Sequence, residues 1–172
     1  SRVIMAANSV AFSIVEPIDS MRQALVLLGH DRVKTMVLTL SIQQLFSGLI
    51  PSQKEFVCNA WLDSLYCAVF AENLAQALDY EFPRDAYLAG LLHDVGQIVF
   101  DSKHHEQYVE IMAQDSEAEI INKEILKFGI SHNELGADII EKWSSLSMTI
   151  ADAVRFHHEH EEQLRGADIL CR

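Results

Sequence analysis

The sequence predicts an all-α fold, and three observations carry that expectation. Only three prolines and seven glycines punctuate 172 residues, too few for the many turns of a β-sandwich or barrel. Apolar residues recur at three- and four-residue steps, as in Val33, Met36, Val37, Leu40 and Leu45, the period of a helix with one buried face. Cap signatures of the form Ser-x-x-Glu precede apolar stretches at Ser52–Glu55, Ser116–Glu119 and Ser131–Glu134, each reading as a helix start. Hydrophobic content of 49% against 22% charged suits one domain with a sizeable core.

Taken in order, Ser1 to Phe12 begins with apolar residues at once, and Asn8-Ser9 ends a first short helical segment. The abrupt start and the uncapped end at Arg172 read as cuts through a longer chain. Asp19-Ser20 offers an N-cap before Met21 to Leu28, and Gly29 stands where a C-cap glycine belongs. Asp31 caps the next helix, which Ser47-Gly48 and Pro51 end. This break separates an N-terminal subdomain, 1–50, from a helical core, 51–172, within the single domain 1–172.

The capping box at Ser52 opens the longest helix, reaching about Asp79, with Phe56, Ala60, Cys67, Phe70, Leu74 and Leu78 on its apolar stripe. Pro83 suits the first turn of the next helix, whose Ala86, Leu88, Ala89, Leu91 and Leu92 leave almost no polar face, so it should be central and buried. His104-His105 opens a polar, solvated helix to about Gln114. Ser116 leads a helix to Gly129, Ser131 one through Trp143 with Leu135, Ile139 and Ile140 inward, and Ser147 a last one with Ile150, Ala151, Val154 and Phe156 inward. Leu164 to Arg172 resumes a helical pattern.

The net charge of −12, with no local Lys/Arg cluster, argues against nucleic acid as a partner. No apolar run reaches the ~18 residues of a membrane span, and no cleavable signal is visible. Cys58, Cys67 and Cys171 are odd in number and lack zinc-ribbon spacing, which reads as buried free thiols in a reducing, cytoplasmic setting.

Against this background several polar residues stand out. Asp63 lies on the apolar stripe of the longest helix, with Asn59 one turn before it. His93 and Asp94 interrupt an apolar stretch; on a helix their side chains would diverge by about 100° and so would meet groups from other helices more readily than each other. His132 falls in the first turn of its helix, where a histidine by itself is more often a surface residue. His157 and His158 close the helix from Ser147, and Asp168 sits between Ala167 and Ile169. Imidazole and carboxylate are ligand types that first-row divalent metals accept, and helical bundles collect ligands from several helices in this way. A mono- or dinuclear site for Fe, Mn, Zn or Mg fits these seven residues: Asp63, His93, Asp94, His132, His157, His158 and Asp168. No local ligand signature such as HExxH is present.

The segments Asn8-Ser-Val-Ala-Phe12, Ala24 with Leu28-Gly29, Ala89-Gly-Leu-Leu-His-Asp-Val-Gly96, Gly129-Ile-Ser-His-Asn-Glu-Leu-Gly-Ala137, Trp143 and His157-His158 resemble, in this order, the HDOD family. These domains are relatives of the HD superfamily of metal-dependent phosphohydrolases and are similar in fold to the HD-GYP enzymes that cleave cyclic di-GMP. The resemblance implies an HD-like helical bundle whose first helices precede Ser1. It also implies that His93 and Asp94 match the metal-bridging pair, that His132, His157 and His158 match further metal histidines, and that Asp168 matches a closing aspartate.

The same resemblance exposes departures. Asp63 stands where active relatives have a histidine, Asn59 where they have an acid, and Gln97 where they have a lysine near the substrate phosphate. The Gly-Tyr-Pro loop is absent; Glu-His-Glu-Glu follows His158. The reading that accounts for all four is a non-catalytic signal-transduction domain acting through other signalling domains or proteins, with a homodimer as a further assembly. The alternative is a metal-dependent phosphohydrolase acting on a nucleotide or cyclic dinucleotide, with a metal-bound water as nucleophile.

Overall fold

A computed structural model describes residues 2–10, 17–45, 49–114, 116–143 and 146–159. Phe12, the side chain of Leu45, the Ser47-Gly48 break, Cys171, Asp168 and the expected helix after Leu164 lie outside these residues. The described chain is helical and has no strand. It forms two compact units, Ser1–Gly48 and Leu49–Arg172.

In the first unit, α1 (Arg2–Val10), α2 (Met21–Leu28) and α3 (His30–Leu45) pack around Ala7, Ile18, Ala24 and Val33. The described part of α1 runs to Val10, one residue past the Asn8-Ser9 at which the sequence ends it. Asn8 ties α1 to the start of the next segment: its amide accepts from Ile18 N–H at 2.7 Å and donates to Ile18 O at 2.9 Å. Ser20 caps α2 by accepting from Gln23 N–H, and Gly29 ends it at φ +83°, as the sequence predicts.

The second unit holds α4 (Pro51–Ala77), α5 (Pro83–Leu92), α6 (Val95–Met112), α7 (Glu117–Phe128), α8 (His132–Glu141) and α9 (Met148–Phe156). The start of α4 differs from the expected box. Pro51 takes the first helical position, and Gln53 in place of Glu55 reaches back to accept from Ile50 N–H at 3.2 Å. The apolar stripe of α4 is also out of phase with expectation. Val57, Trp61, Ser64, Ala68 and Ala75 are buried, whereas Phe70, Leu74, Leu78, Cys58, Cys67, Asn59 and Asp63 are exposed. The cause is the neighbour. A Cβ added at Gly90 of α5 would fall 2.9 Å from the Ala68 backbone, so the two helices touch through their smallest residues and α4 turns its large side chains outward. The thiols of Cys58 and Cys67 are therefore not the buried pair that the pattern suggests.

Helix α5 is the central element expected: Ala86, Leu88, Ala89, Leu91 and Leu92 are all buried, and it packs on α4 and α9. It stops at Leu92. Asp94 has φ −103° and ψ 17°, off the helical path, and serves as the N-cap of α6. The helix assigned to His104 onwards begins already at Val95, with a kink at His104 (φ −138°, ψ 40°). Past the kink, Tyr108 and Ile111 join Phe100 and Ile120 in a core sealed by Phe56 and Phe128. His104 stacks on Phe128 at 5.1 Å, and half-buried His105 contacts the buried Asp101 carboxylate at 2.6 Å, so this pair is not a simple solvated face. Ser116 caps α7, accepting from Glu119 N–H, and Gly129 ends it at φ +79°.

Candidate metal centre

The turn between α5 and α6 puts His93 and Asp94 in direct contact, His93 Nε2 standing 3.0 Å from Asp94 Oδ2. The divergence expected for neighbours on one helix does not apply, because the helix is broken between them. His93 Nδ1 faces the Gly90 carbonyl at 2.8 Å. Both ring nitrogens thus meet acceptors, and only the doubly protonated ring can donate to both. Burial opposes that charge, but the hydrogen bond and charge of Asp94 and the Gly90 carbonyl outweigh it and push the His93 pKa up. In this structure His93 is a hydrogen-bond partner of Asp94.

The opposite face of Asp94 meets three other imidazoles. Asp94 Oδ1 lies 3.6 Å from both His132 Nε2 and His157 Nε2, and His132 Nε2 lies 2.9 Å from His158 Nε2. One donor atom from each of Asp94, His132, His157 and His158 lies within 4.8 Å of every other. Two donors on one cation at about 2.0–2.2 Å stand about 3.0–3.5 Å apart, so these spacings fit a shared ion after small adjustments. Asp63 is exposed and does not join the group, and Asp168 lies outside the described residues.

The ring orientations are set from behind. His132 is fully buried, contrary to the surface expectation for a first-turn histidine, and its Nδ1 and backbone N–H both donate to Glu124 Oε2 at 2.8 Å. Glu124, also fully buried, accepts the Tyr108 hydroxyl on Oε1 at 2.7 Å. Burial and the Glu124 charge beside it drive the Tyr108 pKa far up, so it remains a donor. His157 Nδ1 is held by the Val154 carbonyl at 2.7 Å, leaving its buried Nε2 without a hydrogen-bond partner. Nδ1 of both rings thus faces an acceptor and Nε2 of each is turned toward the cluster, the orientation that metal-binding histidines adopt. His158 stays neutral: burial, then the neighbouring His157 and His132, lower its pKa to about 4.

Asp94 is held ionised. Burial would raise its pKa, yet the approach of His157, the His93 hydrogen bond and the surrounding imidazole charge keep it well below the usual carboxylate range. Gln97, buried one turn into α6, donates its amide to Asp94 Oδ1 at 2.9 Å. Each Asp94 oxygen therefore already accepts one hydrogen bond, Oδ1 from a neutral amide and Oδ2 from His93.

A cleft of about 540 Å³ opens onto the cluster between Cys67, Gly90, Gln97 and Glu117. A larger hollow of about 750 Å³, lined by Gln53, Lys103, His104 and His105, holds none of the cluster residues. Each donor sits at a helix end: Asp94 caps α6, His132 begins α8, and His157 and His158 follow the last residue of α9, while Glu117 at the mouth of the cleft begins α7. Sequence reasoning passed over Glu117, Glu124 and Tyr108. Glu124 carried a signal, since it stands midway between Ile120 and Phe128 on the apolar face of α7, a placement that a charged residue avoids unless paired.

The profile of the HDOD domain matches residues 1–160. An uncharacterized protein of Treponema pallidum (strain Nichols) is 30% identical over 101 residues, which cover 57% of this chain and 20% of that protein. A solved structure of a proposed phosphohydrolase from Shewanella amazonensis SB2B superposes with a TM-score of 0.74 at 19% identity, over 99% of this chain and 59% of that one. At that identity the likeness shows the fold alone. The MmoQ response regulator from Methylococcus capsulatus str. Bath gives a TM-score of 0.60 at 25% identity, over 93% of this chain and 62% of that one. The chain thus spans about three fifths of the solved relatives and a fifth of the Treponema protein. No helix among the described residues is long and apolar enough to cross a membrane. With the family profile covering nearly the whole chain and a helical fold shared with HD-like proteins, this chain belongs to the HDOD domain family.

Proposed function

We propose that this HDOD chain is a non-catalytic regulatory domain, acting through contacts with other signalling proteins or domains, and that its histidine cluster holds one divalent cation as a structural clamp. The observation that carries this reading is Gln97. Active relatives in the superfamily place a lysine at this position, near the substrate phosphate. Here a buried, neutral amide is spent on Asp94 Oδ1 and offers no charge to a developing phosphoryl transition state. Among the described residues, the donors close enough to share an ion are Asp94, His132, His157 and His158, and we read the site as mononuclear, with three imidazoles and a carboxylate. That donor set suits Zn, Fe or Mn better than Mg, which prefers oxygen ligands. The likeness to a response regulator supports signalling partners and a cytoplasmic setting.

The second reading, a phosphohydrolase acting on a nucleotide or cyclic dinucleotide, is favoured by the open cleft above the cluster. Elemental analysis of protein purified without added metal, together with turnover of a generic phosphodiester and of cyclic di-GMP, separates the two. Metal near one equivalent without turnover is the expected result. Turnover abolished by Asp94→Asn would overturn the regulatory reading.

A further inference from the structure

Glu117 lies outside the ligand set that the sequence singles out. It is the first residue of α7, in a turn fixed by the Ser116 cap. Its Oε1 lies 3.3 Å from His158 Nε2 and 3.8 Å from His132 Nε2. The first is a distance between two ligands of one cation, and the second is within a small side-chain adjustment of it, given bonds of about 2.0–2.2 Å. At 3.8 Å from His132 Nε2 the Glu117 carboxylate is too far for a hydrogen bond, and a cation between them would engage both groups.

Charge supports the same arrangement. A divalent ion held by Asp94 and three neutral imidazoles keeps one positive charge, and a second carboxylate cancels it. Glu117 also borders the cleft above the cluster, so its carboxylate approaches from the side by which water or substrate would enter. Closed coordination is the mark of structural sites, whereas catalytic sites keep a position open.

Resting on the reading that a cation is held here, we infer that Glu117 is its closing ligand. Its carboxylate caps the ion between His132 and His158 and leaves a saturated, charge-neutral centre closed to phosphate and similar anions. Glu117 would thus supply, from another helix, the second acid that is lost at Asn59.

The test uses Co²⁺, whose visible absorption reports its coordination, in wild type, Glu117→Gln, Glu117→Ala and His158→Ala. The Glu117 side chain is 43% exposed, and far-UV circular dichroism checks that each variant folds. Wild type should bind one Co²⁺, with a spectrum that inorganic phosphate leaves unchanged. Both Glu117 variants should bind Co²⁺ at least about tenfold more weakly, since even outer-shell partners of a metal site contribute 10–100-fold. In Glu117→Ala, phosphate should shift the Co²⁺ bands saturably. If wild type and Glu117→Ala have equal affinity, or respond equally to phosphate, while His158→Ala loses the metal, this inference fails and the cation reading stands. If wild type binds no Co²⁺, both fail together.

Discussion

Replacing Gly96 with alanine puts the packing of α6 on α8 to a direct test. A Cβ at this position would stand 2.0 Å from the His132 carbonyl oxygen, 2.7 Å from its carbon and 2.9 Å from its Cα. Ordinary contact begins at 3.4 Å, so the backbones must part by about 1.4 Å, and no flexible side chain can absorb it. Overpacking of this kind costs about 1–3 kcal/mol. Here it also displaces the first turn of α8, where His132 donates twice to buried Glu124, and a bond to a charged group is worth about 1.5–3 kcal/mol. Together these make about 4 kcal/mol, a large share of the ~5–15 kcal/mol that holds a domain together. For a chain of this size that lowers Tm by about 12 °C.

Gly136→Ala is the matched control. Its Cβ would meet most closely the methyls Val154 Cγ1 at 3.1 Å and Val95 Cγ1 at 3.3 Å, with the nearest backbone atom, Gly96 N, at an ordinary 3.6 Å. The gain in helix propensity, up to about 1 kcal/mol, roughly offsets that crowding, so its Tm should stay near wild type. Thermal melts followed by circular dichroism, with chelator present so that bound metal does not contribute, measure both. A Gly96→Ala protein melting within about 3 °C of wild type, or above Gly136→Ala, would refute the argument.

Other perturbations follow from the same contacts. Glu124→Ala strands the Tyr108 hydroxyl and both His132 donors in the core and should cost about 3–5 kcal/mol in chemical denaturation and 10–100-fold in metal affinity; Glu124→Gln, which keeps an acceptor, should cost clearly less of each. Burial raises the Asp101 pKa, against its His105 hydrogen bond, so the native state binds that proton more tightly than the unfolded chain. The resulting stability is complete below the unfolded value near 4 and is lost as pH rises through the higher native value. Asp101→Asn should therefore gain Tm relative to wild type as pH is raised from 3 to 7, and a constant difference would contradict this. Arg155 reaches Glu134, Asp138 and Glu141 of α8 and Asp152 of α9. Its partners are a third to a half exposed, so after screening Arg155→Ala should cost only about 1–2 kcal/mol in low salt and less in 0.5 M NaCl.

The caps made most of the helices legible. Ser20 and Ser116, with Gly29 and Gly129, mark boundaries that the structure reproduces, because capping depends on residues a few positions apart; Ser131 marks the start of α8 but makes no side-chain cap bond, and Glu134 of its expected box pairs with Arg155 instead. The buried face of α4 was not legible. It depends on what lies opposite, and the partner turned out to be the small residues of α5 around Gly90, so the larger Phe70 and Leu74 marked the wrong side. In the site, Asp94, His132, His157 and His158 stood out as polar residues in suspicious places, and the fold brings them together. Asp63 stood out equally and stays on an exposed surface. The break between His93 and Asp94 was invisible because nothing local demands it: the apolar pattern runs straight through, and only the resulting contact between them shows where the helix ends.

The placement of each donor at a helix end also governs how the domain could move. The backbone hydrogen bonds of α6, α7, α8 and α9 do not depend on the centre. If the proposed cation is held there, its removal would unpin rods and leave them intact, as drawing the pin from a hinge frees its leaves without bending them. α7 begins at Glu117 and carries Glu124 two turns on, so a tilt at its first residue would sweep the outer end of the helix through an arc. Small motions at the buried cluster would thereby become larger ones at the surface, where another protein could feel them.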